Sequence, residues 1–522
     1  MEILIKNGKV INASSTVNAD ILIRNGVIAE VGAGICGTTA DKVIDATGLY
    51  VLPGAIDAHT HLEMKMGKTF SADGYESGTR AAACGGVTTV FDYTLQENGK
   101  PMLAEIEDRN RLASPKACVD YAFHGGISEV NAERLNELEE MARQGFTSVK
   151  AYMTYDFGLG DRELYRLLKA SANAKVLITV HAESDAIVSV NRASIQETGP
   201  KPVWYHYLSR PEIAEEEADI RAIKLAEAAG APVYIVHLAN AGGERYIAGY
   251  EERFGNNALD RMRFGDGSLR KNSGTGHSAG QISAATAEKT GSPFNKGKTD
   301  DNIHRSEETG EKEGIYGKRV YAETCPHYLE FTNEVYKRPD GIRFICSPPM
   351  KGEESRRALW DGIRNGVIDT IATDHCPAQS YEKDWGKDDF TLAPNGCMGI
   401  ENMYPYMLDA AGKGLISYEK AVELCSFNPS CIFGCDSKGE IAVGKDADIV
   451  LYDPKKQFTI TKESMHSNLD YTIYEGKQLN GYPVMTISRG MTVYEDGEFK
   501  GIPGYGKLLR RGISAAYRRF FR

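Results

Sequence analysis

Two histidines one residue apart, His59-Thr60-His61, pose the first chemical question in this chain. In an extended segment, positions i and i+2 project to the same side, so both imidazoles can address one metal ion. Three more donors close apolar runs further on: His181 in Thr179-Val180-His181-Ala182-Glu183, His237 in Ile235-Val236-His237-Leu238, and Asp374 in Ile371-Ala372-Thr373-Asp374-His375. Four imidazoles and a carboxylate suit zinc or a similar divalent ion. A lone His-x-His pair is usually an ordinary surface or core feature; the single donors that close the other apolar runs make a metal site the better reading. Lys150, inside Ser148-Val149-Lys150-Ala151-Tyr152, belongs to the same set. An ammonium among cations is repelled. Its neutral amine reacts with carbon dioxide to a carbamate, an anion able to bridge two metals roughly 3.5–4 Å apart. A salt-bridged lysine is the commoner alternative.

Such donors need a scaffold that gathers successive strand ends. Apolar, strand-sized runs lie near 55–59, 87–92, 118–123, 146–152, 176–181, 232–238, 319–324 and 367–374, with helical patterns such as 133–143, 161–170, 211–229 and 354–364 between them. Near-continuous apolar strands are covered on both faces. Eight such units predict an α/β fold, a (β/α)8 barrel of the TIM type over 53–435, whose catalytic residues lie at the C-terminal strand ends. An open doubly wound sheet fits less well, because no phosphate-binding glycine fingerprint follows a strand.

The two ends read differently. Short strands at 2–6, 21–24, 27–31 and 42–45, with Asn25-Gly26 as a hairpin signal, match short strands at 448–452, 457–460, 483–488 and 492–495. Neither end carries a core of its own, so 1–52 and 436–500 are expected to form one β-sandwich domain. Residues 251–317 hold 11 glycines and no sustained periodicity, and read as a flexible surface insertion. The tail at 501–522 is basic, with six Lys and Arg from Lys507 onward interleaved with apolar residues. Such a segment could form an amphipathic helix on a membrane; contact between subunits is the favoured reading.

Composition narrows the class. The 522 residues are 42% hydrophobic and 25% charged, as in soluble globular proteins. A net charge of −11 argues against nucleic acid as a partner. No run reaches membrane-span length and the start lacks a signal-peptide core, so no membrane association and a cytoplasmic location are expected. Ten cysteines without Cys-x-x-Cys spacing indicate neither a disulfide framework nor a thiolate zinc site.

The stretches Gly54-Ala55-Ile56-Asp57-Ala58-His59-Thr60-His61, Glu323-Thr324-Cys325-Pro326-His327-Tyr328, Ala372-Thr373-Asp374-His375-Cys376-Pro377, Cys346-Ser347-Pro348-Pro349, Pro394-Asn395-Gly396 and Gly444-Lys445-Asp446-Ala447-Asp448-Ile449-Val450, with Lys150, His181 and His237, carry a family likeness. The chain resembles the cyclic amidohydrolases, in the dihydropyrimidinase/D-hydantoinase branch that includes phenylhydantoinases, from residue 1 to about 505. That resemblance implies hydrolysis of dihydropyrimidines or 5-substituted hydantoins to N-carbamoyl amino acids in a homotetramer. It implies two divalent ions, Zn2+ foremost. His59 and His61 would hold one, His181 and His237 the other, with carboxylated Lys150 bridging. Asp374 would complete the first ion's ligands and act as base. Tyr155 would stabilise the oxyanion and, with Ser347 and Asn395, bind the ring. His124 and His375 match no ligand position, and Cys325, Cys346, Cys376 and Cys397 are read as packing.

The same residues separate rival activities. Dihydroorotases carry an arginine shortly after the His-x-His, where this chain has Leu62-Glu63-Met64. Allantoinase shares the metal ligands, but Tyr155 and the 346–349 segment resemble the hydantoinase branch better. A non-catalytic scaffold relative would lack the ligands, and all six positions are filled.

Overall fold

The computed structural model describes residues 2–35, 40–197, 201–254 and 315–518. Eight parallel strands run in chain order through one sheet: Ala55–Thr60, Val87–Tyr93, Asp120–Gly126, Ser148–Tyr152, Leu177–His181, Val233–Ile235, Val320–Thr324 and Thr370–Ile371. A parallel bridge between Thr60 and His375 closes the circle. Beside it, the Thr373 amide donates to Asp57 Oδ1 at 3.1 Å. Every residue of these strands is buried, which is why they read as apolar runs rather than alternating ones.

Two strands end earlier than their sequence pattern indicates. The sixth stops at Ile235 and the eighth at Ile371, although the apolar character continues to Leu238 and Asp374. The cause is local backbone geometry. His237 (φ 42°) and Asp374 (φ 48°) both leave the extended region, so each donor sits on a turn just beyond its strand.

The surrounding helices follow their periodicity. Asp161–Ala174 buries Leu164, Leu167 and Leu168 on one stripe and ends at left-handed Lys175 (φ 59°). Ala132–Arg143 begins at Asn131, whose side chain accepts from the Arg134 amide. Glu212–Ala229 and Glu353–Asn365 complete the helices anticipated from sequence.

The termini do meet. One nine-stranded mixed sheet joins Glu2–Asn12, Ser15–Arg24, Val27–Gly32, Lys42–Asp45 and Tyr50–Pro53 to Ile449–Thr459, Gln478–Ser488, Met491–Glu495 and Glu498–Phe499. The seam is Tyr50–Pro53 against Ile449–Thr459, antiparallel. Ile3, Ile5, Ile21 and Ile23 share a core with Ile449, Leu451 and Ile487, which supplies the apolar area each end lacks alone. At the hairpin joining Ser15–Arg24 to Val27–Gly32, Asn25 (φ 50°) and Gly26 (φ 83°) supply the two positive φ values a tight turn demands.

Two other expectations meet the structure. Most of the insertion at 251–317 lies outside the described residues; 251–254 end the helix Ala241–Phe254. Among the described residues the basic tail is no amphipathic helix: from 507 to 518 it has an isolated bridge at Leu508 and the short turn Ala515–Tyr517. Leu508 bridges to Tyr121 at the start of the third strand, Ala515 is fully buried, and the Tyr517 hydroxyl reaches the carbonyls of Ser171 (3.3 Å) and Val176 (3.1 Å). Leu508, Ala515 and Tyr517 therefore pack on their own barrel, while Ile513 is exposed. No helix among the described residues is long and apolar enough to cross a membrane.

Candidate metal centre

At the C-terminal mouth, the first strand presents His59 with its Nδ1 donating to Glu323 Oε1 at 2.6 Å. That oxygen also accepts the His237 amide at 3.1 Å, and Glu323 Oε2 accepts the Tyr234 hydroxyl at 2.8 Å. His59 Nε2 is thus left as the outward lone pair. It lies 3.2 Å from Asp374 Oδ1 and 3.4 Å from Lys150 Nζ. His61 Nε2 meets the same Asp374 oxygen at 3.1 Å, while its Nδ1 is buried without a partner. His59, His61 and Asp374 thereby form a compact donor group, their ligand atoms all within 4.8 Å of one another.

Lys150 sits beside this group, fully enclosed, with Nζ 4.5 Å above the Tyr93 ring. Burial pulls its ammonium down to about 8, against the opposing pull of Asp374 and Glu323. For Asp374, burial raises the carboxyl, but the His61 hydrogen bond and the His61 and Lys150 charges outweigh it and hold it below the usual range.

His181 and His237 face each other across the mouth, ring centroids 4.6 Å apart. Neither joins the compact donor group. His181 Nε2 lies 2.8 Å from Glu183 Oε2, which in turn pairs with Arg210. Glu183 is held down to about 2: burial raises it, and Arg210 and His181 reverse that. An ionised Glu183 accepts a hydrogen bond from the Nε2–H, which leaves His181 Nδ1 as the free lone pair. His237 Nδ1 is buried without a partner.

Tyr155 follows the fourth strand on a strained turn (φ 76°). Its ring lies 5.3 Å from that of His181, with the Arg210 guanidinium 5.4 Å from its centre. Burial raises its hydroxyl to about 12, opposed by Arg210 and a hydrogen bond with Ser347. Ser347 Oγ donates to Asn395 Oδ1 at 3.3 Å, so these three predicted residues share one wall. The next residue, Gly396 (φ 139°), admits no side chain, because a Cβ would fall 2.0 Å from the Cys376 carbonyl oxygen.

His124 and His375 have both ring nitrogens engaged elsewhere. His124 Nε2 donates to Ala58 O (3.1 Å) and its Nδ1 meets Ser148 Oγ (2.6 Å). His375 Nδ1 accepts the Gly399 and Ile400 amides, so its Nε2 donates to Asp73 at 3.0 Å. Cys325, Cys346, Cys376 and Cys397 are buried free thiols. Burial pushes Cys325 and Cys376 well up, which suits packing rather than nucleophilic work.

Sequence reasoning passed over Glu323, Glu183, Arg210 and Asp73. For two of them a signal was present. Glu323 lies at the end of the seventh strand as the ligand candidates do, and Glu183 falls at i+2 from His181, on the same side of an extended chain.

A closed parallel barrel with histidine and carboxylate donors at its C-terminal mouth is the architecture of a metal-dependent hydrolase. The sequence pattern of the amidohydrolase family matches residues 50–266 and 281–490, and the chain belongs to that family. A D-phenylhydantoinase of Escherichia coli O9:H4 (strain HS) is 36% identical over 516 residues, covering 98% of both chains. Among solved structures, the dihydropyrimidinase from Brevibacillus agri NCHU1002 superposes with a TM-score of 0.84 at 34% identity, over 98% of this chain and 99% of that one. The L-hydantoinase (dihydropyrimidinase) from Arthrobacter aurescens does so with a TM-score of 0.78 at 26% identity, over 97% and 99%.

Proposed function

We propose that this protein hydrolyses the cyclic amide bond of dihydropyrimidines or 5-substituted hydantoins, releasing N-carbamoyl amino acids. The observation that carries the reading is the convergence of His59 Nε2 and His61 Nε2 on one oxygen of Asp374, with Lys150 Nζ against the same imidazole. The full-length likeness to hydantoinases and a dihydropyrimidinase supports the substrate class.

The donor set fits a pair of divalent ions, Zn2+ foremost. Imidazole and carboxylate are its usual ligands, and the Nδ1 of buried His237 is a nitrogen with no partner in the protein. His59, His61 and Asp374 would hold one ion, and His181 and His237 the other. Lys150 as a carbamate would bridge them. When bound, such a pair acidifies a water and polarises the scissile carbonyl.

The chain's own groups do the rest. Asp374 takes the proton of the attacking water and returns it to the departing ring nitrogen. The Tyr155 hydroxyl, kept protonated by burial, donates to the developing oxyanion. Backbone groups at Ser347 and Asn395 hold the ring amide. Met66, whose sulfur lies 3.5 Å from Cys376 Sγ, and Phe157, stacked 5.4 Å from Tyr155, offer an adaptable apolar wall to a 5-substituent. A homotetramer in the cytoplasm is the proposed setting.

The test is metal analysis together with turnover of dihydrouracil, 5-phenylhydantoin and allantoin. About two ions per chain and ring opening of either of the first two are expected. Absence of metal together with no turnover would return the chain to a scaffold role, and preference for allantoin would reassign the substrate.

A further inference from the structure

Lys383 closes the short helix Ser380–Lys383 and is fully buried. Its ammonium meets no carboxylate among the described residues. It donates instead to three backbone carbonyls: Ile345 O at 2.7 Å, Pro394 O at 2.8 Å and Gly396 O at 2.7 Å. Those carbonyls belong to two segments far apart in sequence. Pro394 and Gly396 flank Asn395, and Ile345 lies two residues before Ser347. The same segments also meet directly, through Gly396 N to Ile345 O at 3.0 Å and Ser347 Oγ to Asn395 Oδ1 at 3.3 Å.

An ammonium carries three N–H groups on a tetrahedral nitrogen, and here each has one acceptor. The planar fork of an arginine cannot converge on three oxygens around a point, and a neutral isostere offers no donors. Removing the donors would leave three buried carbonyls short of partners. The segments would separate or rotate to find others, and the backbone groups beside Ser347 and Asn395 would move with them. No residue of the metal-donor group depends on these bonds.

We propose that Lys383 is a positioning residue that locks the 345–347 and 394–396 segments into the geometry that grips the substrate ring; this rests on the reading of Ser347 and Asn395 as ring-binding positions. It does not touch the substrate, and its effect runs through those two segments alone. Loss of a contact made equally in ground and transition states raises KM and leaves kcat in place. That split separates this role from general support of the fold.

The experiment compares wild-type holoenzyme with Lys383→Met and Lys383→Arg, using whichever of dihydrouracil or 5-phenylhydantoin the wild type turns over. Both variants are expected to retain metal and kcat within about threefold while KM rises tenfold or more. Lys383→Arg keeps the charge, so it keeps the test decisive if Lys383→Met fails to fold. Metal-loaded variants with KM within twofold of wild type, whatever their thermal stability, would overturn the proposal. A metal-loaded wild type inert toward every cyclic amide would overturn the underlying reading and this proposal with it, and that result precedes any variant.

Discussion

Glu323 and His59 form a fully buried pair at the barrel mouth, Oε1 to Nδ1 at 2.6 Å. Oε1 also accepts the His237 amide; burial pushes the Glu323 carboxyl up to about 8, and when it is ionised the imidazole donates to it, which fixes its Nε2 lone pair toward Asp374. Carboxylates that orient a metal-ligating histidine in this way typically contribute 10–100-fold to metal affinity. Glu323→Ala should therefore bind metal roughly 10–100-fold more weakly than wild type, with activity restored at high added Zn2+. Chelator competition measures it. Unchanged affinity would show that His59 needs no orienting partner.

Lys150→Ala should lose most of its bound metal and its turnover, because the bridging anion is gone. Elemental analysis and a turnover assay check this together. Added short-chain carboxylic acids should restore part of the activity by occupying the vacated space. A variant with two metals and normal rate would remove the carbamate from the scheme.

Tyr155→Phe tests the oxyanion donor. The loss of one such donor costs about 2.7–4 kcal/mol, or roughly 10²–10³ in kcat. Metal content should be unchanged, since the tyrosine ring packs beside His181 without pairing to its nitrogens. A rate within a few-fold of wild type would remove Tyr155 from the chemistry.

Much of this site was legible from residues alone, and the reason is geometric. A parallel barrel brings all strand ends to one rim, so chemistry-bearing residues that close apolar runs must meet. What sequence could not supply was which nitrogen of each histidine is free. That depends on contacts between distant strands, such as Glu323 with His59 across 264 positions. The early ends of strands six and eight escaped for a related reason. Val236 and Ala372 remain apolar because they are buried, and burial continues after strand pairing stops. The packing of Leu508, Ala515 and Tyr517 on the underside of their own barrel was invisible to local periodicity, because the face that covers them lies far away in sequence.

A titration measurable in stability involves His466. Its Nδ1 lies 2.6 Å from Glu401 Oε1, and that hydrogen bond raises its pKa above 6.5, against the lowering effect of burial. A raised folded value means the pair's contribution is fully present below pH 6.5 and is lost as pH rises through the folded pKa. His466→Gln should thus be less stable than wild type by about 1–2 kcal/mol near pH 6, a gap that narrows toward alkaline pH. Thermal or urea unfolding across that range reads it. A gap constant with pH would mean the imidazole does not titrate there.

Arg511 is 4% exposed and donates through Nη2 to the Phe123 carbonyl at 2.6 Å, with its guanidinium 5.2 Å from the Phe91 ring inside the barrel base. Its Nε and Nη1 find no partner, and burial pulls it down to about 10. Ala515 and the Tyr517 hydroxyl extend the seal over the strand ends near Val176. Truncation after Gly506 would uncover this apolar base and free the third strand's outer contacts. The cost should be several kcal/mol, lowering the unfolding temperature by roughly 3–5 °C. Metal content and turnover at 25 °C should stay near normal, because the mouth lies at the opposite end of the barrel. Size-exclusion mass separates this intrachain role from contact between subunits. A truncated protein of unchanged thermal stability but smaller mass would mean that the tail serves assembly rather than closure of its own barrel.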